Sequence, residues 1–341
     1  MEKKHNYGID LLRLVFMFMI CNLHILKQGG VLSNLSKGSI NFFSLWFIEI
    51  FSFCAVDGFA FISGYVSTNK PCKYEKLLNI WFEVFFYSFI VSIILMLFGI
   101  DGNLSKIDII KTAFPIIFDN YWYMSAYFLL FLLMPLLNKL LFKISLDNAK
   151  KLFITLIVIY PLMYFIFKSF KVVFGLSALL LIVLYCLGVL AKRINLFQNI
   201  KSIVLVIVMF LLITFTWYCF IYLKMASLVN YASPTIILSS IIMVILFSRL
   251  KIKNNIISKL SSLALGIYLL QANQVIWNEF ITDKFIFIAD SNIIVGVSSL
   301  ILCSFAICSL GLIVDYFRSI IFNKLHIDLL SKRIVSFITK W

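Results

Sequence analysis

The first apolar run carries two side chains of the types used in proton transfer and anion binding. His24 is the histidine that lies within an apolar run, because His5 and His326 fall in polar terminal segments. Arg13 precedes it by eleven residues in the same run. In an α-helix, eleven residues turn about 1100°, which is about 20° past three full turns, with a rise of about 16 Å. Both side chains are therefore predicted to point the same way, at two levels of one helix.

Two interpretations of this pair stay open from the residues alone. An arginine in hydrocarbon costs several kcal/mol, so Arg13 is predicted to face the bundle interior, a polar cavity or an anionic partner. In the structural interpretation, Arg13 pairs with Asp10 and extends to the cytoplasmic surface, while His24 lies near the outer headgroups. In the functional interpretation, His24 is a general base, a role that suits an imidazole near neutral pH.

Asp57 is a carboxylate deep in the apolar run FCAVDGFAFISGYV. A structural reading makes it a buried partner for Arg13 or for a backbone amide near Gly58. A functional reading makes it orient or charge-balance His24. The residues do not decide which basic group it meets.

Three further acids fall in apolar runs and are interpreted as structural partners or cavity-lining groups without catalytic roles: Glu49, Glu83 and Asp315.

An aromatic cluster, Tyr121-Trp122-Tyr123, stands just before a later apolar run. Tryptophan and tyrosine at such a position are first of all typical of the membrane interface. The alternative is that Trp122 and Tyr123 stack against a sugar at the mouth of a cavity.

The composition indicates which solvent surrounds these residues. The chain has 341 residues, 62% of them apolar and 13% charged, with a mean hydropathy of +1.04. A water-soluble globule of this size needs more polar surface than this composition provides. The apolar runs also recur along the whole length, so we predict one integral-membrane domain over residues 1–341.

We predict an all-α bundle of about ten transmembrane helices, each of roughly 20 residues. The predicted spans are 8–27, 43–66, 78–100, 122–142, 152–169, 173–191, 202–223, 229–248, 259–277 and 293–317. If the N-terminus is inside, 21 of the 30 basic residues fall in inner segments, 8 in outer segments, and Arg13 in a span. Basic residues favour the cytoplasmic side, so both termini are predicted to be cytoplasmic.

The charge and the cysteines exclude other classes. The formal charge of +15 sits in short loops between apolar runs, which indicates membrane orientation rather than a nucleic-acid partner. The predicted partner is the lipid bilayer. The seven cysteines are scattered and lack CxxC spacing and companion histidines. No disulfide framework and no metal site are therefore predicted.

Several segments together resemble the acyltransferase 3 family of integral-membrane acyltransferases that acylate cell-surface carbohydrates. The opening DLLRLVFMFMICNLHIL resembles the family's first helix, with Arg13 and His24 at its signature spacing. AVDGFAFISGY resembles its second-helix motif, and NYWYMSAYFLLFLLMPLLN its Trp-Tyr segment. LYCLGVLAKRI, NYASPTIILSSIIMVILF and SSLALGIYLLQAN resemble later helices. The resemblance runs from about residue 8 to residue 277 and covers most of the chain.

The resemblance implies a multi-pass enzyme of the plasma membrane. It implies an acyl-CoA co-substrate, most often acetyl-CoA, no bound cofactor, and a hydroxyl of a surface polysaccharide or glycolipid as acceptor. On this view, His24 takes the acceptor proton and Asp57 holds the imidazole, with an acyl-His24 intermediate as an open variant. Trp122 and Tyr123 would contact the acceptor. The CoA phosphates would bind to Arg13, Lys70, Lys73 and Lys76.

Two departures from the family pattern affect these expectations. Family members often carry arginines where this chain has Lys70, Lys73 and Lys76, and lysine lacks the bidentate geometry of arginine. The segment GIYLL often ends in histidine, whereas here it ends in Gln271. His24 is thus the one acid–base candidate. The rival interpretations are a transporter or lipid-linked glycan flippase, and a glycan polymerase.

Overall fold

The computed structural model describes residues 5–69, 73–167 and 177–338, and for residues 166 and 167 it describes the backbone alone. Within these ranges the regular elements are helices and no strand is present, which confirms the predicted all-α fold. The α-helices in chain order are α1 Tyr7–Leu23, α2 Val31–Asn34, α3 Ile40–Tyr65, α4 Tyr74–Phe85, α5 Val91–Leu97, α6 Lys106–Thr112, α7 Trp122–Leu141, α8 Leu146–Phe167, α9 Ala178–Arg193, α10 Ser202–Ile221, α11 Pro234–Ser248, α12 Asn255–Ser262, α13 Ala264–Gln271, α14 Gln274–Ile276, α15 Phe287–Asp290, α16 Ile293–Lys324 and α17 Ile327–Ile338. Five-residue π-helical turns continue α1, α4 and α14 over His24–Gln28, Phe86–Ile90 and Trp277–Ile281.

Long apolar helices make this a multi-pass membrane protein. Seven helical segments of the described chain are long and apolar enough to cross a bilayer: Tyr7–Gln28, Ile40–Tyr65, Tyr74–Leu97, Trp122–Leu141, Leu146–Phe165, Ser202–Ile221 and Ile293–Lys324. Each of them overlaps one of the ten predicted spans.

The other three predicted spans are shorter or broken. The segment predicted at 173–191 contains α9, which has 16 residues in the described part of the chain. The segment at 229–248 contains α11, an apolar helix of 15 residues. The connection between the spans predicted at 152–169 and 173–191 falls on residues 168–176, which lie outside the described residues. The segment predicted at 259–277 is divided among α12, α13 and α14.

A single asparagine explains the break between α13 and α14. The side chain of Asn273 accepts hydrogen bonds from the amides of Val275 and Ile276 and so caps the start of α14. Its amide nitrogen donates to the Tyr87 carbonyl oxygen at 2.7 Å and to the Ser92 Oγ at 2.8 Å. Both partners lie in or beside the π-helical turn that continues α4. The chain therefore leaves the helix at residue 272 because Asn273 is bonded to a different part of the bundle.

Polar contacts gather several helix ends at one end of the bundle, which we call the Arg13 end. The Asn6 side chain donates to the Ser248 carbonyl oxygen at 2.9 Å, joining the start of α1 to the end of α11. The Tyr65 hydroxyl, at the end of α3, lies 3.2 Å from the Ser248 Oγ. The ammonium group of Lys192, near the end of α9, lies 5.0 Å from the centre of the Tyr65 ring. The other end of α1, with His24, therefore belongs to the opposite side of the bundle.

Glycine allows α3 and α9 to touch backbone to backbone. A Cβ atom at Gly64 would lie 2.0 Å from the Tyr185 carbonyl oxygen, and one at Gly188 would lie 2.2 Å from the Phe61 carbonyl oxygen. Small residues permit this close approach between membrane helices. The contact fixes the end of α3, including Tyr65, against the end of α9.

A buried ion-pair cluster joins α4 and α16. Arg318 donates to both carboxylate oxygens of Asp315, at 2.6 and 2.8 Å, and lies 3.5 Å from Glu83. The Tyr87 hydroxyl donates to Asp315 at 3.0 Å. The interpretation of Glu83 and Asp315 as structural partners is confirmed. Helix α16 continues past the predicted end of the last span at residue 317 to Lys324, and Arg318 is buried within it.

Candidate active site

Helix α1 places Arg13 and His24 along one cavity, which we call the central cavity. Its volume is about 290 Å³, and Trp122 and Tyr123 also line it. The helical geometry of the eleven-residue spacing thus puts both α1 side chains on one wall, while the start of α7 supplies the two aromatic rings. The structure therefore brings together four of the predicted site residues.

His24 opens the π-helical turn at the end of α1 and is held by two neighbours. Its Nδ1 atom lies 3.0 Å from Oε1 of Gln271. The Trp277 ring meets the imidazole edge-on, with 4.8 Å between ring centres and an interplanar angle of 80°. With the Gln271 amide oxygen facing the ring, the neutral imidazole donates from Nδ1, because an amide oxygen only accepts hydrogen bonds. Nε2 is then the unprotonated nitrogen, as a general base requires.

Gln271 is a site residue that the sequence interpretation missed. It was read only as a departure that weakens an acid–base role at its position, whereas the structure makes its side chain the partner of His24. The available signal was its place at the end of the GIYLL segment, where the family often has another hydrogen-bonding side chain. Its position at the break after α13 lets it reach α1.

No hydrogen bond joins Asp57 to the His24 imidazole in the structure. Asp57 is fully buried, and neither carboxylate oxygen has a hydrogen-bond partner among the described residues. Its neighbours Val56 and Phe59 line the central cavity, but Asp57 does not. Successive residues of a helix are about 100° apart, so Asp57 leaves α3 in a different direction from Val56. It lies within electrostatic range of Tyr123.

Arg13 stands where the central cavity meets another one, which we call the proximal cavity. The proximal cavity has a volume of about 340 Å³ and is lined by His5, Tyr65 and Lys192 as well as Arg13. The NH1 atom of Arg13 donates to Asp10 at 2.8 Å, and His5 binds the other Asp10 oxygen at 2.6 Å. The predicted pairing with Asp10 is therefore present. It engages one nitrogen of the guanidinium group, whose side chain is 32% exposed.

Of the three lysines proposed for the donor, the two that the structure describes line neither the central nor the proximal cavity. Lys70 lies outside the described residues. Lys73 directly precedes α4 and Lys76 lies in its first turn; both side chains are exposed, and neither lines the central or proximal cavity. The basic residue of the proximal cavity beside Arg13 is Lys192, which sequence reasoning did not single out. The sequence feature that could have indicated Lys192 is its position near the end of the family-like segment LYCLGVLAKRI.

Another cavity, which we call the distal cavity, adjoins His24 on the side away from Arg13. Its volume is about 320 Å³. It shares His24, Trp122 and Tyr268 with the central cavity. The three cavities thus follow one line, with Arg13 at the first junction and His24 at the second. Among the described residues, no group of three or more His, Cys, Asp or Glu side chains could hold a metal ion.

Comparison with protein families gives one match across this region. A family model described as an acyltransferase domain, Acyl_transf_3, matches residues 6–313. The chain belongs to the acyltransferase 3 family. The resemblance noted in the sequence is thereby confirmed, and membership implies acyltransferase activity. The comparisons with curated proteins and with solved structures each gave no match.

The matched region of this acyltransferase contains the complete line of cavities. All residues named at the three cavities, except His5, fall between residues 6 and 313. Helix α17 and the end of α16 lie beyond the match. The rival interpretations as a transporter, a flippase or a polymerase are not what membership of an acyltransferase family implies.

Proposed function

We propose that this acyltransferase moves an acetyl group from cytoplasmic acetyl-CoA to a hydroxyl of a surface polysaccharide or glycolipid at the plasma membrane. The observation that carries the proposal is the line of cavities with Arg13 at one junction and His24 at the other. The acyl donor and the acceptor must both reach the same catalytic base, so each substrate needs its own route to that base. The central and distal cavities provide these routes on opposite sides of His24.

The proximal cavity suits the charged end of acetyl-CoA. Arg13 and Lys192 bring two positive charges to it, against the one negative charge of Asp10, which also lines it. Guanidinium and ammonium groups form charge-assisted hydrogen bonds with phosphate. The Tyr65 ring offers a flat surface beside them. The pantetheine arm then runs along the central cavity, over the rise of about 16 Å from Arg13 to His24. Lys70, Lys73 and Lys76 remain predicted as additional phosphate ligands from their loop.

The reaction then follows from the protonation state of His24. Nε2 takes the proton of the acceptor hydroxyl as that oxygen attacks the thioester carbonyl carbon. A carbon–oxygen bond forms, and the tetrahedral intermediate collapses with cleavage of the carbon–sulfur bond. The CoA thiolate leaves and receives the proton from His24, so the imidazole is neutral again. In this course Gln271 keeps the proton on Nδ1, and it takes the orienting role that the sequence had suggested for Asp57.

The proposal is tested with purified protein and acetyl-CoA in the absence of any acceptor. Water then replaces the acceptor hydroxyl, and we expect slow release of free CoA thiol that depends on His24. A transporter would release no thiol. A protein that is correctly folded, binds acetyl-CoA and shows no His24-dependent thiol release would contradict the proposed function.

We predict that Arg13→Ala weakens binding of CoA. The loss of a charged hydrogen bond costs about 1.5–3 kcal/mol, which corresponds to roughly a 10- to 150-fold higher dissociation constant. Isothermal titration of the detergent-solubilised protein with CoA and with dephospho-CoA measures the effect. Arg249→Ala is the matched control, because Arg249 caps backbone carbonyls near residues 197–200 and lines none of the three cavities. Unchanged CoA affinity in Arg13→Ala would leave Arg13 only its bond to Asp10.

We also predict that residues 101–121 are outside and that both termini are cytoplasmic. The evidence for this orientation is the bias of 21 against 8 basic residues. Lys106→Cys tests it better than a cysteine at Ser105, because the Ser105 hydroxyl caps α6. In intact cells, a membrane-impermeant maleimide should label Lys106→Cys and should miss Gln198→Cys, which is exposed on the predicted inner side. The opposite labelling pattern would mean that the orientation is inverted.

A further inference from the structure

The distal cavity combines Trp122, which is predicted above to contact the acceptor, with polar side chains that no role described so far uses. Beside His24 it is lined by the amides of Asn120 and Gln274 and by the indoles of Trp122 and Trp277. Its volume of about 320 Å³ lies at the lower end of the range of roughly 300–1,000 Å³ for ligand pockets. It therefore suits a single small ring and not an extended chain.

The polar groups of this cavity are available to a ligand. The Gln274 side chain makes no hydrogen bond within the described part of the chain. Asn120 uses its amide nitrogen on the Lys111 carbonyl oxygen at 3.2 Å, which leaves its amide oxygen. Amides both donate and accept, so they match hydroxyl groups. Indole faces cover the apolar face of a ring while polar edges stay bonded.

The lining of the distal cavity disfavours anions. No lysine, arginine, aspartate or glutamate of the described residues lines it. The exposed Asp119 lies within electrostatic range of Tyr268, one of its walls. Lys27 lies within electrostatic range of His24, so the charges outside the cavity wall are of both signs. An anionic ligand in the cavity would therefore have no charged partner in the lining.

We propose that the distal cavity is the acceptor subsite and that it selects an uncharged polyhydroxylated ring over an anionic one. The inference rests on the proposed function, since it assumes that the second substrate approaches His24 from the side away from Arg13. Trp277 contacts the imidazole edge-on. A ring stacked on Trp277 thus brings its hydroxyls next to the base, while the two amides fix which hydroxyl is presented.

Matched pairs of sugars test the inference with the purified full-length protein. Thiol release from acetyl-CoA is measured with glucose or glucuronic acid, and with galactose or galacturonic acid, and O-acetyl sugar is detected by mass spectrometry. At least one neutral sugar should raise thiol release above the acceptor-free rate. The rate of thiol release with the corresponding uronic acid should be at least about ten-fold lower. A carboxylate that has no charged hydrogen-bond partner in the cavity accounts for a factor of about this size.

Two substitutions show whether this cavity sets the preference. Gln274→Lys should shift the ratio of rates toward the uronic acid by about ten-fold, whereas Gln198→Lys, which adds the same charge at an exposed amide near the Arg13 end, should leave it unchanged. Asp119→Asn, at an exposed position, should raise only the rate with the uronic acid. Equal rates with the uronic acid and the neutral sugar would overturn the inference. So would a ratio of these two rates that is unchanged by Gln274→Lys.

The outcomes separate this inference from the function on which it rests. If no sugar raised thiol release while acceptor-free release stayed dependent on His24, the ring-binding subsite would be wrong and acyl transfer would stand. If release did not depend on His24 at all, the proposed function would fail first.

Discussion

Replacement of His24 by alanine is expected to lower acyl transfer by about 10²- to 10⁴-fold, the usual contribution of a general base. The reason is that Nε2 of His24, with Nδ1 bonded to Gln271, is the proposed base, and His24 lines both the central and the distal cavity. Binding of acetyl-CoA should be retained, because Arg13 and Lys192 are untouched. Thiol release and CoA titration on the same preparation measure the two quantities separately.

The choice of control histidine follows from the structure. His5 is unsuitable, because it binds the Asp10 carboxylate that also binds Arg13. His326 lies after α16, far along the chain from any cavity-lining residue, with a φ of 52°. His326→Asn is the better control, since asparagine tolerates this backbone conformation. If the His24→Ala variant transferred acyl groups at a rate within a few-fold of that of the parent protein, His24 would be a structural residue. The proposed mechanism would then have no general base.

Loss of the Gln271 amide is expected to lower kcat by about 10- to 100-fold without weakening the binding of acetyl-CoA. Gln271→Leu leaves Nδ1 of His24 without its acceptor, and an unmade hydrogen bond of a buried group costs about 1–3 kcal/mol. The proton is then free to move to Nε2, which removes the basic nitrogen from the reacting hydroxyl. Steady-state kinetics with varied acetyl-CoA distinguish a fall in kcat from a rise in KM.

A conservative variant separates positioning from simple packing. Gln271→Glu keeps an oxygen that can accept from Nδ1, and we expect it to retain much more activity than Gln271→Leu. Gln28→Leu is the matched control: it removes an amide from the same π-helical turn as His24, but that amide faces Thr282. If Gln271→Leu and Gln28→Leu had the same small effect, Gln271 would not position the base.

The features that the sequence predicts correctly are those set by local geometry. The common direction of Arg13 and His24 depends only on the pitch of one helix, and α1 is regular between them. The all-α membrane fold depends on the length and apolarity of the runs. Trp122 and Tyr123 reach the same cavity because they begin α7 beside it.

The features that the sequence does not reveal depend on contacts between distant segments. Gln271 meets His24 across 247 residues, and no local pattern specifies that bond. Asn273 breaks the helix predicted at 259–277 because its partners, Tyr87 and Ser92, are more than 180 residues away. The chemistry of Asp57 suggests a bond to the imidazole, whereas its carboxylate has no hydrogen-bond partner among the described residues.

The line of three cavities has a consequence for the permeability of the membrane. A bilayer that holds an ion gradient must not be crossed by an open polar path, and here His24, packed against Trp277 and bonded to Gln271, occupies the junction between the central and distal cavities. The side chain that we propose as the proton acceptor is therefore also part of the wall between the two cavities. Small replacements at His24 thus change both the chemistry and the barrier to protons and ions. Growth defects of cells carrying such variants therefore report leakage together with lost acylation, and only purified protein separates them.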